Sequence, residues 1–361
     1  MGLHGEVIRY DLHFKFDAGT SHGVLRQKTS FFIKIFERYN PSVFGIGESG
    51  PLQGLSPDFD EDLELKILEV MHKISSFDKP TNLEQAYEFA EAIAGPFLPS
   101  IRFALEVAMI DLMRGGQRKI FHNMFTEGVQ SIDINGLIWM GSKDFMLQQI
   151  EDKIESGYNC IKVKIGALDF ETECKVLAAI REKFGPDQIS IRLDANGAFG
   201  EEDAEHKLDK LSEYQVHSIE QPIAPGQINA MENLCRNSPV PIALDEELIG
   251  VYGKEKHELL EKIKPQFIIL KPTLLGGFKE TNEWIDVAWK NKIEWWITSA
   301  LESNIGLNAI CQFTAEYKNP LPQGLGTGQL YHNNIASPLE IHKGKIYYNN
   351  HKDWDLSTIG I

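Results

Sequence analysis

Two lysines share one face of a short apolar run. In Ile161-Lys162-Val163-Lys164-Ile165 a period of two turns the three β-branched residues one way and both lysines the other. The same alternation in Ile189-Ser190-Ile191-Arg192-Leu193-Asp194 leaves Ser190, Arg192 and Asp194 opposite the apolar face. Glu220 closes the run Val216–Glu220, Asp245 closes Pro241–Asp245 and Lys271 closes Phe267–Lys271. The separations are 26 residues from Asp194 to Glu220, 25 from Glu220 to Asp245 and 26 from Asp245 to Lys271. Each position alone has a plain structural explanation. Paired lysines protect sheet edges, and an acid at a strand end commonly caps the next helix.

Three acids in register are another matter. Carboxylates held side by side repel unless a cation neutralises them, and hard oxygen donors in an open site suit Mg²⁺, with Mn²⁺ as the alternative, better than zinc. Asp194, Glu220 and Asp245 are therefore the expected metal ligands. Glu246 and Glu247 follow Asp245 and could shift the register, but strand alternation favours Asp245. A lysine on either side of such a metal, Lys164 and Lys271, suggests removal of a proton next to a carboxylate, which needs a base on one face and strong charge stabilisation of the product. Lysine becomes a base when burial and a neighbouring cation favour its neutral form, and Lys162 is such a neighbour.

Something must hold those strand ends together. From about residue 130, short apolar runs alternate with amphipathic helices, the pattern of a parallel sheet. Strands are expected near 132–139, 160–165, 189–194, 216–220, 241–245, 267–271 and 294–298, with a weaker eighth near 322–326. Helices such as Asp169–Phe184, Glu201–Tyr214 and Lys279–Lys292 fall between them. Eight such units predict an α/β fold, a closed (β/α) barrel whose strand ends share one rim. Before it, Val7–Phe16 and Thr29–Phe36 read as strands around a loop, Asp17–Lys28, and Asp60–Phe77, Asn82–Ala94 and Ser100–Arg114 read as helices. The expected organisation is an α+β domain over 1–125, the barrel over 126–335 and a segment, 336–361, that returns to the first domain through a strand pair at Leu339–Tyr348.

Bulk properties narrow the function. A net charge of −16 argues against nucleic acid as a partner, since phosphate affinity comes from clustered Lys and Arg. No apolar stretch approaches a membrane span, and the alternating MGLHGEVIRYDLHFKF lacks the layout of a signal peptide, so a cytoplasmic location is expected. Cys160, Cys174, Cys235 and Cys311 form no C-x-x-C pair, which argues against a disulfide framework or a Cys-rich zinc site. The partner expected is a small-molecule carboxylate, and a homo-oligomer is compatible with the sequence. A barrel without catalysis should have lost one of Lys164, Asp194, Glu220, Asp245 or Lys271, and all five are present. A barrel using a lysine Schiff base would not need three acids in register.

These residues resemble the muconate lactonizing enzyme subgroup of the enolase superfamily. Lys162-Val163-Lys164 is similar to its K-x-K motif, and Asp194 in RLDANGAF, Glu220 in IEQP and Asp245 in ALDEE to its metal triad. Lys271 in LKP is similar to its opposing lysine, and GIGESGPL around Glu48 to the G-x-G-E-x-x-P stretch of its capping domain. The resemblance implies a modified TIM barrel of the enolase type with an N-terminal α+β capping domain. It also implies Mg²⁺ and a lysine-mediated reaction through an enediolate. Gly324–Gly328 carries none of the acids with which the subgroup's dipeptide epimerases would hold an ammonium group, which favours a dicarboxylate substrate, and Ser299–Gly306 and Gly324–Gly328 are similar to the subgroup's dehydrating members. Racemisation of N-succinylamino acids, with both lysines as bases, and a muconate-type cycloisomerisation remain open. Asn196 and Arg192 are expected to orient the ligands. Ser299, Ser303 and Gly306 are candidates for a substrate carboxylate at a helix start, although Ser303 equally reads as a plain cap. Thr20, Gly23 and Leu25 fall where the resemblance implies a lid.

Overall fold

The computed structural model describes residues 2–20 and 23–361, with Gly19, Thr20 and Gly23 given as backbone alone. The chain opens with an antiparallel sheet in the order β1 (Leu3–Thr20), β2 (Gly23–Glu37), β3 (Asn40–Ser49). Three helices follow: α1 (Leu63–Ile74), α2 (Leu83–Ala94) and α3 (Pro99–Met113). Asn82 caps α2 by accepting from the Gln85 N–H. Nearly every residue of α3 is buried, because it lies between the cap sheet and the barrel. Two glycines permit that approach: a Cβ on Gly45 would sit 1.8 Å from the Ala108 carbonyl oxygen, and one on Gly47 2.0 Å from that of Ala104.

The loop expected at Asp17–Lys28 is instead the distal part of a long ribbon. Pairing shifts register between His13 and Ala18 and then continues as Ala18↔Leu25 and Thr20↔Gly23. Asp17 and Arg26 form an ion pair across the ribbon at 2.9 Å. One face of this extension packs through Phe14 and Ala18 on Trp139, Leu330 and Tyr331 while polar residues hold the other, so polarity misleads as a loop signal.

After the cap come β4 (Ile132–Asp133) and then the elements of the barrel, β5 (Gly136–Ile138), α4 (Lys143–Glu155), β6 (Cys160–Lys164), α5 (Phe170–Lys183), β7 (Ser190–Asp194), α6 (Glu201–Ser212), β8 (Ser218–Glu220), α7 (Ile228–Asn237), β9 (Ile242–Leu244), α8 (Glu255–Ile263), β10 (Phe267–Leu270), α9 (Pro272–Leu275), α10 (Phe278–Lys290), β11 (Glu294–Ile297) and α11 (Asn304–Thr314). Strands β5 to β11 form one parallel sheet in sequence order. The eighth strand is reduced to bridges: Gln323 pairs with Ile134 and Gly324 with Thr298, which closes the ring. Its glycines, where a Cβ on Gly324 would collide with the Thr298 hydroxyl, account for the weak signal. The first strand is split, with β5 in the barrel and β4 pairing elsewhere.

The strand pair expected at Leu339–Tyr348 forms as β12 (Leu339–His342) and β13 (Lys345–Tyr348), but its sheet partner is β4 at the start of the barrel, not the cap sheet. Residues further on reach the cap: Ile359 clusters with Phe32, Ile46, Ile305 and Ile335, with Trp354 and Leu356 packed against them. All four cysteines are free and buried. No helix among the described residues is long and apolar enough to cross a membrane.

Candidate active site

Strand register assembles the site. Lys164 pairs with Asp194 and Asp194 with Glu220 across β6, β7 and β8, while Glu220 pairs with Ala243, so Asp245 stands two residues further on, directly after β9. Lys271 follows β10 directly. The apolar halves of these strands, such as Ile161, Val163, Ile191 and Leu193, are buried under the helices, which turns the charged halves inward. Asp194, Glu220 and Asp245 are buried to within 1–2% of full occlusion. A cavity of about 640 Å³ opens above them, lined by Lys162, Lys164, Asp194, Asn196, Lys271 and Ser299 among others.

Lysines and acids neutralise one another here. Lys162 Nζ lies 2.9 Å from Asp194 Oδ2 and 2.7 Å from Glu220 Oε2, and Lys164 Nζ lies 2.9 Å from Asp194 Oδ2. Lys271 donates to Asp245 and stands 3.9 Å from Glu220 Oε1. Burial alone would raise the Asp194 pKa, but the Lys162 and Lys164 ammoniums outweigh it and hold the carboxyl well below the usual range. Glu220 shares Lys162 with Asp194 and sits between two further acids. Burial, and then the Asp194 charge, push it up to about 8. Burial also raises Asp245, against the pull of Lys271. For Lys162 and Lys271 the penalty of burial is overcome by the surrounding carboxylates, and both are held above the ordinary lysine value.

Among the described residues, no three His, Cys, Asp or Glu side chains converge into a ready cage for a metal. The reason is local: ammonium groups stand between Asp194, Glu220 and Asp245. The donor set nevertheless fits a hard divalent cation. It is all carboxylate oxygen, it is buried, and its mutual repulsion is offset only by lysines that such a cation would relieve. Of the two acids that follow Asp245, Glu247 is turned away and accepts from Gln221 and the Gly226 N–H.

The remaining expected residues separate into distinct roles. Asn196 touches the site directly: its Oδ1 accepts from Lys164 Nζ at 2.7 Å and its backbone N–H donates to Asp194 Oδ1 at 3.1 Å. Arg192 points into the barrel as expected but touches none of the acids. Its guanidinium stacks 3.7 Å from the Trp296 ring centroid and donates to the Pro322 carbonyl at 2.6 Å, filling the barrel floor one layer below. Ser299 lines the cavity, with its hydroxyl donating to Glu302 and accepting from Thr327 Oγ1 at 2.7 Å. Ser303 and Gly306 do not line the cavity. Their backbone N–H groups donate to Glu48 of β3 at 2.9 and 3.0 Å, so the start of α11 does bind a carboxylate, but the cap supplies it. Ser303 also caps α11. Leu25 lines the cavity together with Phe16 of the same ribbon. Thr20 and Gly23 enter only as a backbone pair, and their expected place against the site lies outside what is described.

Sequence reasoning missed the apolar wall. Trp139, just after β5, faces the cavity and meets Phe16 at 5.7 Å and Phe14 at 6.4 Å between ring centroids. The alternation of Phe14 and Phe16 was the available signal, but nothing local ties them to Trp139. Leu52–Leu55, directly after the Glu48 stretch, completes the roof.

The model of the enolase C-terminal domain-like family matches residues 146–351, more than half of the chain. The chain belongs to this family, within the enolase superfamily. Among its relatives, o-succinylbenzoate synthase of Desulfotalea psychrophila (strain LSv54 / DSM 12343) is 46% identical over 95% of this chain and 98% of that protein. The crystal structure of MenC from Desulfotalea psychrophila LSv54 superposes with a TM-score of 0.85 at 42% identity, covering 96% of this chain and 100% of that one. N-succinylamino acid racemase of Thermus thermophilus is more distant, at 27% identity over 83% of this chain and 78% of its own.

Proposed function

We propose that this protein catalyses the o-succinylbenzoate synthase reaction, the dehydration of 2-succinyl-6-hydroxy-2,4-cyclohexadiene-1-carboxylate in menaquinone biosynthesis. The observation that carries this reading is the near-full-length relative of that name at 46% identity. It is supported by a cavity that gathers Lys164 and Lys271 around a buried carboxylate row.

Asp194, Glu220 and Asp245 would hold Mg²⁺, with Mn²⁺ as a substitute, which supplies charge stabilisation for the oxygen atoms of the substrate carboxylate when bound. Lys164, in its neutral form, takes the proton from the ring carbon bearing that carboxylate, and the electron pair moves into an enediolate. The electrons then return to the ring, the carbon–oxygen bond to the hydroxyl breaks, and the Lys164 ammonium gives the same proton to the departing oxygen. Water leaves and the ring becomes aromatic. Lys271 remains an ammonium and stabilises the enediolate from the other side, consistent with the carboxylates that keep it charged. Asn196 holds Lys164, and the wall of Phe16, Leu25 and Trp139 excludes water from the ring.

The same pair of lysines would also suit racemisation of N-succinylamino acids, with Lys271 as second base. The test is Mg²⁺-dependent loss of diene absorbance with the hydroxycyclohexadiene substrate, run beside polarimetry on N-succinylamino acids. Dehydration with little racemisation supports the synthase. Racemisation alone would transfer the lysines and the metal to the other reaction.

A further inference from the structure

Glu246 is used neither as a ligand nor as a base in the reaction above, yet it is buried beside the site. The chain turns sharply at Asp245 (φ −125°, ψ −81°) into a single 3₁₀ turn, Glu246–Leu248, and this swings the Glu246 side chain toward β7. Its Oε1 accepts from Asn196 Nδ2 at 2.9 Å, and its Oε2 is buried without a partner among the described residues. Asn196 is itself pinned. It sits in the left-handed region (φ 44°), which Asn and Asp tolerate better than other side chains, and its N–H is held by Asp194. On its far side, Asn196 Oδ1 accepts from Lys164 Nζ.

We propose that Glu246 is a positioning residue that fixes which end of the Asn196 amide faces Lys164. Lys164 Nζ donates to the amide on one side and a Glu246 carboxyl oxygen accepts from it on the other, so the amide between them has one orientation, nitrogen to Glu246 and oxygen to Lys164. The two ends of an amide have nearly the same shape, so sterics alone do not choose between them. Removing Glu246 frees the amide to rotate and leaves Lys164 held by Asp194 without its second fixed acceptor. This inference rests on Lys164 being the base, as in the function proposed above.

The test compares Glu246→Ala, Asn196→Asp and the double variant Glu246→Gln/Asn196→Asp. Glu246→Ala is expected to lower kcat by roughly tenfold, the effect of one polar contact to a charged group, with KM and Mn²⁺ affinity, read by electron paramagnetic resonance, unchanged. Asn196→Asp sets two carboxylates against each other and is expected to lose roughly ten- to a hundredfold in kcat. Adding Glu246→Gln should recover most of that loss. The glutamine amide then donates to one oxygen of the new aspartate while the other still accepts from Lys164, and the summed charge equals that of the wild type. A double variant no better than Asn196→Asp overturns the proposal, as does a fall in Mn²⁺ affinity that accounts for the loss in Glu246→Ala. Circular dichroism melts establish that each variant is folded, and the rescue remains informative if Glu246→Ala is not. If the wild type racemises rather than dehydrates, the proposed function fails while the same variants read the relay on racemisation.

Discussion

Replacing Lys164 by alanine removes the proposed base and leaves every carboxylate oxygen in place. A positioned general base contributes roughly 10²–10⁴-fold. At about 1.4 kcal/mol per tenfold, that corresponds to roughly 3–5 kcal/mol of transition-state stabilisation. Dehydration should therefore fall by at least about a hundredfold. Metal binding should respond in the opposite sense. Asp194 Oδ2 carries two ammonium partners, Lys162 and Lys164, each at 2.9 Å, and one of the two disappears. Two unit charges about 4 Å apart interact by about 4 kcal/mol at an effective dielectric of about 20, so a competing cation of this kind is not negligible beside a metal ligand. Mn²⁺ affinity should thus be equal to or tighter than that of the wild type. The assay pairs diene absorbance with Mn²⁺ titration by electron paramagnetic resonance. Turnover within tenfold of wild type would remove Lys164 from the chemistry, and a parallel loss of metal affinity would mean that the alanine has disturbed the carboxylate row.

Glu220→Gln should weaken Mg²⁺ binding and turnover together, each by at least roughly tenfold, since even partners behind a ligand cost that much; full activity in excess chelator would refute the metal assignment. Glu48→Ala strips the acceptors of Ser30 and of the Ser303 and Gly306 N–H groups and leaves Lys28 unpaired in the core. A broken buried pair costs about 3–5 kcal/mol, or about 4–7 °C in Tm for a chain of this length, and an unchanged melt would show that the contact does not hold the cap. Glu106 of α3 caps α10 through the Phe278 N–H, and burial, opposed by Arg102, pushes it up to about 8 from an ordinary 4.5. Between those values the folded state keeps a proton that the unfolded chain has lost, so this residue makes stability fall as pH rises through the window. Glu106→Gln should flatten the decline in Tm between pH 5 and 8, and an identical slope would place the proton elsewhere.

Alternation within five-residue strands was enough to turn Lys162, Lys164, Asp194, Glu220, Asp245 and Lys271 inward, because a period of two has only two faces and the helices take the apolar one. Spacing near 26 residues was enough to set them side by side, since that is the length of one β/α unit. The helices at Leu83–Ala94 and Phe170–Lys183 were legible from periodicity, and the structure shows Asn82 and Asp169 capping them. What the sequence could not carry was any contact whose partners are distant along the chain and share no repeat. Ser303 and Gly306 looked like a binding site for a substrate carboxylate, and the tertiary structure gave that site to Glu48, more than 250 residues earlier. Arg192 looked like support for the acids, but the level at which it enters the barrel brings it to Trp296 instead. Polar composition hid the ribbon that carries Phe16 and Leu25 over the cavity, and its meeting with Trp139 depends on how the cap docks. The chemistry of this protein was thus written locally, in residue type and period. The shape of its pocket came from long-range packing, where no local pattern records which surfaces meet.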